Sequence, residues 1–88
     1  KEMRVLKIAQ VFWRDVTHYT CAEEIDWFKK EGSTVDFVTV GHVIKMGRKE
    51  VVLAHEINDG DEARSTSVIP RNVITRIEYL KVEERLKR

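Results

Sequence analysis

At 88 residues the chain holds one domain around one core, and a chain of that size buries only about 60–65% of its unfolded surface. It is 42% hydrophobic and 35% charged with a net charge of +1, which fits a globular domain and supplies no overall electrostatic pull toward polyanions, so any basic site must be local. A lone cysteine, Cys21, excludes an internal disulfide and a cysteine-built metal site; no apolar run approaches the ~18 residues of a membrane helix, and the opening KEMRVLK lacks a leader's pattern, so the expected setting is reducing and cytoplasmic.

Residues 3–16, MRVLKIAQVFWRDV, fit two periods. Val5, Ala9, Val11 and Trp13 share one side of a strand, while Val5, Ile8 and Phe12 share one face of a helix. The β-branched and aromatic residues Val11, Phe12, Trp13 and Val16 favour a strand from about Ile8 onward. CAEEIDWFKKEG then reads as a helix. Thr20 and Glu23 form a Thr-x-x-Glu capping box, acids lie early, and Lys29 and Lys30 lie late. Cys21, Ile25 and Phe28 share a face expected to be buried, and Gly32 is the expected left-handed stop.

Val35–Met46 predicts a long strand, with Gly41 as the place to bend or bulge. Met46-Gly47-Arg48-Lys49 predicts a hairpin turn with Gly47 at positive φ. Val51–Ile57 and Ala63–Ile69 predict two further strands around the acidic loop Asn58–Glu62. Pro70 ends the last of these, because it cannot donate to a ladder. Residues 70–73 predict a 3₁₀ turn, Ile74–Leu80 a closing strand, and Lys81–Arg88 a charged tail with Val82 and Leu86 on its apolar side. The expected fold is mainly β: a small SH3-like barrel of about five strands, centred on residues 35–80, with one α-helix inserted after the first strand.

VTVGHVIKMGRKEVVLAHEI followed by VIPRNVITRI resembles Sm-like proteins, the class that includes the Hfq group of bacterial RNA chaperones. The resemblance implies rings of six or seven subunits joined by strand pairing, with RNA held at loops facing the pore. Gly47-Arg48-Lys49-Glu50 stands at the first contact loop of that family, without its Asp-x-Asn contacts, and Pro70-Arg71-Asn72-Val73 stands at the second. A strand precedes the helix here, whereas the family's helix comes directly before its barrel. Over most of the chain, Trp13-x-Asp15, a helix bearing Trp27, and TVGHVI…VVLA…VIP…VITRIEYL resemble short uncharacterised bacteriophage proteins. That implies an accessory protein, placed in the host cytoplasm.

Among chemistry-bearing residues, pairing about the Gly47–Lys49 turn places His42 opposite residues 54–55, beside His55. Such a pair binds a metal or responds to pH, or is simply a half-buried pair satisfied by carbonyls, which is the plainer reading. Cys21, three residues from His18, reads as structural before it reads as a nucleophile. Trp13, Trp27, Tyr19 and Tyr79 read as core or interface anchors before they read as base-stacking platforms. No catalytic constellation, phosphate loop, cofactor or metal set emerges, so the expected class is non-enzymatic. The Sm-like resemblance, with Arg71 and Asn72 in the turn before the last strand, implies a homo-oligomeric binder of RNA or single-stranded nucleic acid. Arg48, Lys49, Arg64, Arg71 and Asn72 are its candidate contacts, with arginine suited to phosphate by its forked geometry. The alternative is a phage-type accessory protein that binds a small nucleotide or a host protein.

Overall fold

A computed structural model describes residues 5–81. The expected helical turn with Val82 and Leu86 lies outside the described residues. Five antiparallel strands form one sheet: β1 (Ile8–Asp15), β2 (Val35–Met46), β3 (Glu50–Ile57), β4 (Ala63–Pro70) and β5 (Ile74–Leu80). Helix α1 (Ile25–Glu31) sits in the β1–β2 connection, and a 3₁₀ turn, Arg71–Val73, joins β4 to β5. The small mainly-β fold with one helix after the first strand is as expected. Strand order is β4-β3-β2-β1-β5, and no pairing between β4 and β5 closes the sheet.

Alternation carries the register. Ala9 pairs with Gly41, Val11 with Thr39 and Trp13 with Phe37, so one parity of β1 meets one parity of β2. Ala9, Val11, Val51, Leu53, Ala54 and Ile69 are buried. Val11, Val51, Leu53 and Ile69 form the core cluster, with Trp13, Val43, Met46, Val73, Ile74 and Ile77 packed against it. Fully burying a side chain such as Leu53 or Val11 stabilises by about 1.5–3 kcal/mol. Trp13 adds an indole hydrogen bond to Thr39 Oγ1 at 2.9 Å and stacks on Phe37 with centroids 4.9 Å apart.

Two register shifts bend the sheet. One lies in β2 between Val43 and Lys45, past the glycine expected to host it. Gly41 serves a different purpose: a Cβ there would stand 2.8 Å from the Ala54 carbonyl oxygen, so its bare backbone admits β3. The other lies in β5, where Thr75 is the extra residue opposite the step from Phe12 to Trp13. There the Thr75 hydroxyl donates to the Phe12 carbonyl at 3.1 Å.

Three local expectations are corrected. The helix starts at Ile25, not Cys21, with Glu24 as N-cap and no side-chain capping bond, so the Thr20–Glu23 box does not form. Cys21 is exposed and does not share a buried face with Ile25 and Phe28. Gly32 has φ −62°, and no described glycine, Gly47 included, has positive φ. Positive φ falls instead on Asp61 in the acidic loop and on Ser65 within β4. Asn58 explains the loop: its Oδ1 accepts from Gly60 N at 2.9 Å and Glu62 N at 3.0 Å, holding the turn through the side chain.

Candidate nucleic-acid interface

The five candidate contacts fall into two groups. Residues 47–49 turn β2 into β3, with Gly47 N donating to Glu50 O at 3.0 Å. The 3₁₀ turn comes against them. Arg71 N donates to Lys49 O at 2.8 Å, and Arg71 Nε donates to Gly47 O at 2.8 Å. Half-buried Arg71 therefore staples the two turns and brings Arg48, Lys49, Arg71 and Asn72 to one end of the sheet. Lys45 holds Glu50 at 3.0 Å, which neutralises the nearest acid. Arg48 and Lys49 form no ion pair among the described residues, leaving both cations to solvent.

Arg64 is elsewhere. It pairs in register with Glu56, six residues along β3 from Glu50, roughly 20 Å at strand rise. Its Nε lies 2.6 Å from Glu56 Oε1. The bond and charge of Arg64 hold the Glu56 carboxyl below its ordinary 4.5, and Glu56 in turn raises Arg64. Both groups are exposed, so the pair adds little to stability. Its small contribution is present above the ordinary glutamate range and fades as pH falls through the lowered value. Arg64→Ala is expected to move the Glu56 titration upward toward 4.5 in a carboxyl NMR series, with thermal stability at neutral pH nearly unchanged. A Glu56 midpoint that stays put would show that the ion pair does not persist in solution.

At that second end lies a groove of about 520 Å³ lined by His42, His55, Glu56, Asn58, Glu62 and Arg64, among others. His42 pairs with Ala54, as the turn arithmetic expects, and it is half-buried while His55 is exposed. Most of the other polar lining groups satisfy one another: Glu56 with Arg64, and Asn58 Nδ2 with Glu62 Oε1 at 3.2 Å. Among the described residues, no group of three or more His, Cys, Asp or Glu is placed to hold a metal ion. The groove was legible only in part. The Asn-Asp-Gly signal marks its loop three residues past His55, but the sequence does not show the hollow that forms between them.

No family model, curated protein or solved structure matches the chain. Among the described residues, no helix is long and apolar enough to cross a membrane.

Proposed function

We propose that the protein is a non-enzymatic, homo-oligomeric binding module that takes the phosphate backbone of RNA or single-stranded nucleic acid at the stapled turns. The observation that carries this is the pair of Arg71 hydrogen bonds to Lys49 O and Gly47 O. They hold together two turns far apart in sequence, with Arg48 and Lys49 beside them in no ion pair among the described residues. One such patch is weak, and repetition in an oligomer multiplies it. Fluorescence anisotropy with a short unstructured RNA at low salt tests the reading. Binding is expected to weaken linearly in log salt, with a slope of about −0.7 per phosphate neutralised. Arg48→Glu with Lys49→Glu is expected to lower affinity at least about tenfold, with an unchanged melting temperature as the control for folding. Absence of binding at low salt, or binding indifferent to this double substitution, overturns it.

The groove beside His42 and His55 favours a second reading, a small nucleotide bound away from the turns. In the same experiment, its signature is a thermal shift with mononucleotide that Arg48→Glu with Lys49→Glu leaves in place.

A further inference from the structure

The β1–β2 connection, residues 16–34, stands apart from the core. No strand packs extensively on α1, and α1 buries none of its residues. Val16 is 80% exposed and Ile25 76%, and Tyr19 and Trp27 also face solvent. Among the described residues its ring–ring contacts are within the arm, Tyr19 edge-on to Trp27 at 5.9 Å and to Phe28 at 5.5 Å. A helix of seven residues is far below the roughly 12–15 that are marginal alone, so its helicity needs outside contacts.

Charge along the arm points to what supplies them. Asp26 lies in the first turn of α1 behind Glu24 at the cap, and Lys29 and Lys30 lie in the last. Two copies of α1 set antiparallel about a two-fold axis bring the acids of each against the lysines of the other. The helix dipoles then oppose favourably as well. At helical spacing Ile25 shares one side of α1 with Asp26, Lys29 and Lys30, so it is the apolar group available between them, while Trp27 lies on the other side with Tyr19 and Phe28. We propose that a second copy of this chain covers the arm, as an isologous pair centred on α1. It rests on the self-association in the reading above and not on its ligand, and it uses none of the residues of the stapled turns. An arm this short offers less than the ~800 Å² per partner of a standard interface. The pairing is therefore concentration-dependent, with a salt-sensitive rim.

Sedimentation velocity over a wide concentration range, at low and high salt, tests it. The full chain is expected to dimerise reversibly, or to assemble as multiples of two, more weakly at high salt. Glu24→Lys with Asp26→Lys, and separately Lys29→Glu with Lys30→Glu, each weaken self-association at least about tenfold. Mixed together, the two variants associate again, because each supplies the charge that the other has reversed. Ile25→Asp abolishes the pairing and leaves the denaturant midpoint of the sheet unchanged. A monomer at every concentration overturns the proposal. So does an oligomer that the arm variants leave intact, or a mixture that fails to reassociate. RNA anisotropy on the same variants separates this failure from that of the ligand reading, since Arg48 and Lys49 are untouched in them.

Discussion

Leu53→Ala is expected to lower stability by about 2–5 kcal/mol, the range for removing a buried leucine's methyl groups and leaving a cavity. Leu53 is 1% exposed and packs in the core cluster with Val11, Val51 and Ile69, so truncation leaves a void in close-packed surroundings. A domain of this size has roughly 4–13 kcal/mol in total. The variant therefore melts far below the parent, by about 4–8 °C for each kcal/mol lost, or is partly unfolded at 37 °C. Val68→Ala is the matched control. Val68 is 62% exposed on β4, and its loss is expected to stay within about 0.5 kcal/mol. Urea melts of both variants decide the matter. Equal losses at the two positions would mean that β3 is not the centre of the core.

Gly41→Ala is expected to destabilise by about 1–3 kcal/mol, against the usual sign of a glycine-to-alanine change. Replacing glycine ordinarily stabilises a chain by restricting its unfolded ensemble. Here the new Cβ stands 2.8 Å from the Ala54 carbonyl oxygen and 3.1 Å from Leu53 Cβ, and the first of these is backbone that cannot swing aside. The collision wins over the entropy gain. Gly60→Ala provides the contrast, since the nearest atom there is Asn58 Oδ1 at 3.3 Å, in an exposed loop. A Gly41→Ala protein that melts at or above the parent would show that β3 does not cross β2 so closely.

The strands were legible in the sequence as β-type runs between punctuating residues, even where, as in Val35–Met46, the alternation is imperfect. Val35–Met46 and Ile74–Leu80 fall where the pattern puts them, and Pro70 marks the corner between β4 and the 3₁₀ turn. Val51 and Leu53 share a parity and are both buried. The helix start was not legible. The Thr20–Glu23 pattern describes a cap that a helix makes if it begins there. The ring of Tyr19 instead returns to meet Trp27 and Phe28, and the residues between them make that reversal. Glycines misled for a related reason. A sequence marks where backbone freedom is available, not whether it serves a positive φ or, as at Gly41, a close crossing.

At the candidate interface, both contact turns were legible from Gly47 and Pro70. Their junction was not, because it rests on the β3–β4 register that sets Glu50 opposite Pro70, and Arg71 Nε then reaches across 24 positions to the Gly47 carbonyl. Arg64 looked equivalent to Arg71 by residue type alone. Strand register separates them, placing Arg64 opposite Glu56 and far from the turns.

Ser65 and Pro70 also shape the open edge of the sheet at β4. An unpaired strand at the margin of a sheet invites another chain to add to it. On β4, Pro70 offers no amide at one end, and Ser65, at φ 57°, breaks the extended run near the other. Only Thr66–Ile69 remains regular between them, shorter than the six- or seven-residue segments, roughly, that stack into fibrils. That edge therefore offers an added strand only a short template, even though Val68 lies in the open.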